Sequence, residues 1–468
     1  MATLWLEPVR RGRRHLLLRY GVDELSFSTT YWYDDVDLQW LATIYGEGFL
    51  RRVEFHLLAF EANKAASLAP DAIDFGPYAD LVTEPFWELW ETLFHNVWGV
   101  WRYENDLPDY RLPRPARRLS ENGGAPVVVV DASGRLLLLC GGGKDSLACM
   151  KLLERGGVAY DTFAYSHSTY GPAVFQHELI GGLLAHCAPR AQHRGWVFDD
   201  ALEAPVAETH PELGIRRILA AETVSSYWTA LPVALQHGFT EVALGVTRST
   251  DEHNLVWDVT GERINYLWGM SSDAEQLLHD YVRDYLVSDL SMFHLLRPVY
   301  DVNVFSMLRT ELAAVPSTHS CARQKPWCCR CAKCIYVWMN YVAWLPQETV
   351  SETFEVNLFE IPDNRSLLRK MLGLESYKPT DCVGTVNEAR LAFAMCRAKG
   401  IGGVIADDID VDELIAEAPA TLDRYSAVAP PGTTFPPSLA NGLRRQLEKQ
   451  SRVTQTVARA ALDLPSRT

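Results

Sequence analysis

Polar and apolar residues alternate along Leu25-Ser-Phe-Ser-Thr-Thr-Tyr-Trp-Tyr33, a β-branched and aromatic run that predicts a strand. The period then lengthens. Val53, Leu57, Phe60 and Lys64 fall at helical spacing, so a helix is expected over residues 52–68, stopping before Pro70. Residues 85–101 predict a second helix, with Pro85 in its first turn. Two unbroken aliphatic runs follow, at 127–130 and 136–139, separated by a turn at Asp131-Ala-Ser-Gly134. The second run passes through Cys140-Gly-Gly-Gly-Lys-Asp-Ser146 directly into an amphipathic helix at 147–153. Further strands are expected at 160–165, 196–198 and 241–246, with a helix at 222–236 and a helix-length apolar run at 335–345. Strands alternating with helices predict an α/β fold around a parallel sheet.

At 468 residues the chain is too long for one hydrophobic core. Residues 1–125 form an aromatic-rich α+β region, with seven of the fourteen tryptophans at or before Trp101. This excess is expected to build a core and an interdomain face. Residues 111–126, with three prolines and two glycines, read as a linker. The α/β unit then occupies 126–320 and a cysteine-rich region 321–400. Residues 401–468 read as a C-terminal tail, acidic first and then basic, whose last forty residues are expected to be solvated and partly ordered. The formal charge of −15 excludes a generic basic surface for nucleic acid or anionic lipid, so any anionic substrate needs a local pocket. No apolar run reaches the length of a membrane span, and the first residues do not read as a secretory signal, so a cytoplasmic chain is expected.

Gly141-Gly-Gly-Lys-Asp-Ser146 is the most informative segment. A strand that ends in glycines and leads into a helix presents bare backbone N–H groups and a positive helix end to an anion. Gly141, Gly142 and Gly143 allow close approach of phosphate oxygens, while Lys144 adds a charge, Ser146 a hydroxyl and Asp145 a carboxylate for Mg²⁺. The spacing is neither that of a Walker A loop nor that of a dinucleotide fingerprint.

Five of the ten cysteines fall between 321 and 334, a density that favours a metal site over disulfides. Cys321, Cys328, Cys331 and Cys334 supply four thiolates for a closed, structural Zn²⁺ site, with Cys329 either the spare or a replacement for Cys328, and His319 a weaker substitute. An iron–sulfur cluster would use the same ligands and ranks lower because no redox motif accompanies it.

The glycine loop resembles the pyrophosphate loop of the N-type ATP pyrophosphatases, whose usual form is Ser-Gly-Gly-x-Asp-Ser; Gly141 stands here for the first serine. Beyond the loop, Leu296-Arg-Pro298, Ser320-Cys321, Trp327-Cys328, Cys331-Ala-Lys-Cys334 and residues 372–384 with Glu388 resemble the ATP-dependent UDP-N-acetylmuramoyl-L-alanyl-L-glutamate epimerases of bacterial peptidoglycan synthesis. His56-Leu-Leu-Ala59 through Lys64 is similar to their N-terminal helix. The resemblance implies an adenine nucleotide alpha hydrolase-like sheet domain over 126–320. It also implies ATP and Mg²⁺, a nucleotide-linked peptide substrate, and release of AMP and pyrophosphate. Adenylation of the glutamyl α-carboxylate would acidify Cα, which is then deprotonated and reprotonated from the other face.

Under this reading Lys144, Asp145, Ser146 and Lys64 are the catalytic candidates, with Glu222 and Asp251 as further bases by type. Gly141 to Ser146, Arg248, Ser249 and Arg297 would bind the nucleotide or the anionic substrate; bidentate arginine suits phosphate and carboxylate alike. The chain departs from the family pattern at Glu61-Ala-Asn-Lys64, at Thr247-Arg-Ser-Thr250 and at Asn265-Tyr-Leu267. Those departures keep open another carboxylate-adenylating enzyme, with a different peptide acceptor or related to 7-cyano-7-deazaguanine synthase, and a non-catalytic nucleotide-binding protein.

Overall fold

The computed structural model describes residues 2–115, 119–121, 123–213, 222–321 and 323–465. Its strands are β1 (Thr3–Leu6), β2 (Arg10–Arg11), β3 (His15–Val22), β4 (Leu25–Tyr33), β5 (Ala72–Asp74), β6 (Leu136–Leu139), β7 (Tyr160–His167), β8 (Gln192–Asp199), β9 (Glu241–Leu244), β10 (Leu255–Val256), β11 (Arg263–Ile264) and β12 (Ser291–His294). Apart from a small β10–β11 ribbon, they join one sheet in the order β12-β9-β6-β7-β8-β4-β3-β1-β5, with β2 paired to β3.

The sheet is mixed, which corrects the expectation of a parallel one. From β12 through β8 every pairing is parallel, but β4 joins β8 antiparallel and β3 joins β4 antiparallel. The reason is local. Asp23 and Glu24 alone separate β3 from β4, and such a short connection permits only a hairpin. Asp23 takes the left-handed backbone such turns demand, at φ 49°. The aromatic N-terminal region therefore extends the α/β sheet instead of forming a sheet of its own, with Trp32 opposite Trp196 at the seam.

The aliphatic run at 127–130 is not a strand; it makes one bridge, Val127 to Val287, and Val128 and Val130 are exposed. Both edges of β6 are already taken, by β7 and β9, so no ladder position is left beside it. The first predicted helix begins earlier than expected, at Glu47 after Gly46, and runs to Glu61 before a short turn of helix at Asn63–Ala66.

Two cores lie on the two faces of the sheet. Along β6, Leu136 and Leu138 point into one and Leu137 into the other, the period-two pattern of a strand buried on both sides. The first core contains the cysteine region and the C-terminal helices. The second holds the N-terminal aromatics, where His56, Phe60 and Trp228 stack at 4.7–4.9 Å. The last forty residues are not a solvated tail. They contain a helix, Pro437–Ala461, whose Leu443, Leu447, Thr454 and Ala458 form a buried stripe. Gln450 Nε2 on it donates to Ser306 Oγ at 3.0 Å, on the helix Asp301–Met307. Among the described residues no helix is long and apolar enough to cross a membrane.

Candidate functional site

A cavity of about 390 Å³ opens at the carboxyl ends of β6, β7 and β9, where open α/β sheets present loops to ligands. The glycine segment forms its floor. Beyond β6 the chain turns through Gly142, at φ 79°, and enters the helix Lys144–Arg155 at Gly143. No side chain caps that helix, so its N-terminal turn is left to the cavity. Gly141 N donates to Ser146 Oγ at 3.1 Å, which fixes the loop. A Cβ on Gly142 would lie 2.1 Å from the His319 ring, so only glycine fits there. His319 N in turn donates to Gly142 O at 3.0 Å, and burial pushes its imidazole down to about 4, neutral at physiological pH.

The loop's charges are clustered, with Lys144 and Asp301 buried and Asp145 partly exposed. Lys144 Nζ lies 2.7 Å from Asp145 Oδ1 and 3.2 Å from Asp301 Oδ2, and 4.8 Å from the centre of the Phe305 ring. Burial works against the ammonium, but the two carboxylates more than offset it and raise its pKa. Asp301 also accepts from Thr247 Oγ1 at 2.7 Å, which ties the segment after β9 to the helix Asp301–Met307. Ser249 Oγ donates to Glu388 Oε1 at 3.0 Å. Glu388 caps the helix Val386–Ala398, and burial together with the Asp301 charge pushes its carboxyl up to about 7.

Of the residues singled out from the sequence, Gly141, Gly143, Lys144, Asp145, Ser146 and Ser249 line the cavity. Gly142 supports the loop through His319. Arg297 is elsewhere. It is buried and bonded to Glu275 at 2.9 Å, Thr247 O at 3.1 Å, Thr250 Oγ1 at 3.2 Å, Met270 O and His294 Nδ1. Its guanidinium is thus spent on partners inside the protein, so it props the Thr247–Thr250 wall and does not face the cavity. Arg248 is exposed, with its guanidinium 5.5 Å from the Tyr300 ring, and it does not line the cavity.

Lys64 is buried one strand away. It pairs with Glu61 and, at 2.7 Å, with Asp199 at the end of β8. Tyr31 donates to Glu61, and His167 lies 3.6 Å from Asp199. Asp251 sits on the surface side of the Arg297 network, accepting from Ser272 N at 2.8 Å. Glu222 opens a helix whose first side chains lie outside the described ones.

Several cavity residues stand in the sequence motifs without an assigned role, among them Lys333 between two cysteines, Ser320, Cys382, Thr247 and Thr250. Lys325 and Asp301 stood out in no motif; Asp301 has only the signal of an acidic residue opening a helix shortly after a strand.

The cysteine cluster forms the adjoining wall. Cys321, Cys328, Cys331 and Cys334 bring their Sγ atoms within 4.8 Å of one another, and Cys329 is not among them. Two of the separations, Cys321–Cys331 and Cys328–Cys334, are 3.8 Å. A tetrahedron of Zn–S bonds of about 2.3 Å has edges of about 3.8 Å, so the set fits a structural zinc ion. Backbone N–H groups of Arg323, Gln324, Arg330 and Cys334 point at the sulfurs at 3.4 Å, which favours thiolates. Because Cys321 follows His319 and Ser320, the cluster also fixes the residues packed on the glycine loop.

An α/β chain with a glycine-lined cavity at its sheet edge and a four-thiolate wall is the class these features define. Residues 317–426, which span that wall and the Glu388 helix, match the family model of the MurL C-terminal domain. The chain is 27% identical over 351 residues to a UDP-N-acetyl-α-D-muramoyl-L-alanyl-L-glutamate epimerase of Salinispora tropica, covering 72% of each chain. Proteins of the same description from a Micromonospora species and Xanthomonas oryzae pv. oryzae are 27% and 26% identical over little more than half of each chain. These matches support assignment to that epimerase family.

Proposed function

We propose that the chain is an ATP-dependent epimerase that inverts the terminal L-glutamate of a UDP-N-acetylmuramoyl-L-alanyl-glutamate. The observation that carries the reading is the cavity itself: a glycine loop and an uncapped helix start, with Lys144, Lys325 and Lys333 around them, at the carboxyl edge of parallel strands. Those groups suit a polyphosphate. Asp145 and Asp301, on either side of Lys144 Nζ, are the carboxylates that would hold Mg²⁺, and the ion would neutralise phosphate charge.

In this reading the glutamyl α-carboxylate oxygen attacks the α-phosphorus, the bond to the β-phosphate oxygen breaks, and pyrophosphate leaves. The loop N–H groups and the lysines stabilise the charge that develops on the leaving phosphates. With its carboxylate masked as a mixed anhydride, Cα loses its proton without a second negative charge forming beside the first. Return of a proton to the other face and attack by water then release AMP and the inverted peptide.

Incubation of the nucleotide dipeptide with ATP and Mg²⁺, followed by chiral analysis and nucleotide chromatography, tests the proposal. D-Glutamate with AMP and pyrophosphate is the expected outcome. ADP and orthophosphate would overturn the activation chemistry. AMP release with another peptide, without D-glutamate from this one, would keep that chemistry and replace the acceptor.

A further inference from the structure

At the opposite edge of the sheet, away from the cavity, three elements converge on one point. Asp35 follows β4, His193 is the second residue of β8, and His237 ends the helix Glu222–His237. Asp35 Oδ2 lies 2.6 Å from His193 Nδ1 and 3.2 Å from His237 Nε2, and the two imidazoles are tilted against each other with centroids 4.2 Å apart. We propose that Asp35, His193 and His237 form a second metal site, for a divalent transition ion of borderline softness such as Zn²⁺, that nails this helix to the sheet.

Four features point to an ion here. The donor set of two imidazoles and a carboxylate is that of open zinc sites, with a fourth position left to water. The donors lie within 4.8 Å of one another. Metal–ligand bonds of about 2.0–2.1 Å need tetrahedral donors about 3.3 Å apart, so the Asp35–His237 separation already fits and the Asp35–His193 one would open by less than an ångström. Next, His193 has an outer partner: its Nε2 faces Asp161 Oδ2 at 3.3 Å, and Arg135 holds that carboxylate. A carboxylate on the far nitrogen places the proton there and leaves the Nδ1 lone pair for a metal, an arrangement characteristic of metal-bound histidine. Finally, Asp35 Oδ1 is a buried atom that makes no hydrogen bond among the described residues, and His237 Nε2, also buried, meets the Asp35 carboxylate. Asp35 is itself partly exposed, which gives an ion its entry path.

The site would act at a distance from the reaction. The same helix carries Ser226 in the cavity wall, so an ion on His237 fixes the far end of an element that shapes the cavity.

The experiment is equilibrium dialysis of the intact chain against Zn²⁺, with metal counted per chain at pH 7.5. Two ions are expected in the native protein, one in His237→Gln and one in Asp35→Asn, each variant retaining the ion of the four cysteines. A thermal melt of native protein and variants checks folding, and added Zn²⁺ should raise the melting temperature of the native protein more than that of either variant. A count of one ion in the native protein, or of two in both variants, would overturn the proposal.

Discussion

Arg297 and the glycine loop lie at the same edge of the sheet, and both read in the sequence as holders of anions. The structure separates them by how their donors are spent. Both ends of the Arg297 guanidinium and its Nε bond inside the protein, whereas the helix start at Gly143 has no side-chain cap and faces a cavity. A cation type at a suitable position is common to both. Of the two, it is the loop that turns unspent donors to open space, and that is the property a binding site needs.

The largest effect should come from the wall that backs the loop. Removing zinc with a strong chelator, or changing Cys331 to Ser, takes away a set of bonds that carries folding free energy, about 10 kcal/mol or more in small zinc peptides. The expected result is a lowered melting temperature together with lost turnover, since His319 loses its anchor; a chelator that slows turnover at an unchanged melting temperature would contradict a structural role. Next comes Arg297→Met. It leaves Glu275 buried beside no guanidinium, which should cost about 3–5 kcal/mol in denaturant unfolding. A stable variant with a raised KM for ATP would instead restore the anion-clamp role.

Gly142→Ala sharpens the other half of the comparison. Its Cβ would collide with the His319 ring and its φ is disfavoured for alanine, so the loop must shift. A displacement near 1 Å at a reacting group costs on the order of a hundredfold in rate. Pyrophosphate exchange into ATP, measured with the acceptor present, should fall by that much with the overall fold retained.

The contrast also marks what the sequence made legible. Strand β4, the β6–glycine–helix unit and the four metal-site cysteines follow from local pattern: alternation, an aliphatic run ending in glycine, and ligand spacing. The mixed sheet did not, because the pairing of Trp32 with Trp196 joins residues far apart in the chain and no local period encodes it. The stripe of Leu443, Leu447 and Ala458 was present but was masked by the charge around it. The resemblance reached the motifs around the cavity, yet it could not say that Asp301 pairs with Lys144 or that Arg297 is spent on partners inside the protein. Those are facts of burial and distance.

Glu388 gives a smaller, pH-dependent effect. Its carboxyl titrates near 4.5 when unfolded and near 7 in the folded chain, so the folded state holds the proton longer. Stability from this group is therefore full below pH 4.5 and is lost as the pH rises through 7. Glu388→Gln should cost about 1 kcal/mol at pH 5, through the helix cap it disturbs. The gap from the native protein should narrow toward pH 8, because glutamine does not titrate. Urea unfolding at the two pH values reads the difference directly, and a gap that widens with pH would reverse the assignment.

Arg248 should give the smallest effect of all. The sequence placed it beside Arg297 as a second anion clamp, directly after a parallel strand. In the structure its backbone N–H is bonded to Val299 O at 2.8 Å, while its exposed side chain lies over Tyr300, outside the cavity. Truncating an exposed side chain with a single cation–π contact changes stability by about 0.5 kcal/mol. Arg248→Ala should therefore leave unfolding and the KM for ATP close to native, in contrast to Gly142→Ala and Arg297→Met. A selective rise in KM for the peptide, with that for ATP unchanged, would mean that this arginine reaches the acceptor from outside the cavity, and would extend the site across the Tyr300 surface.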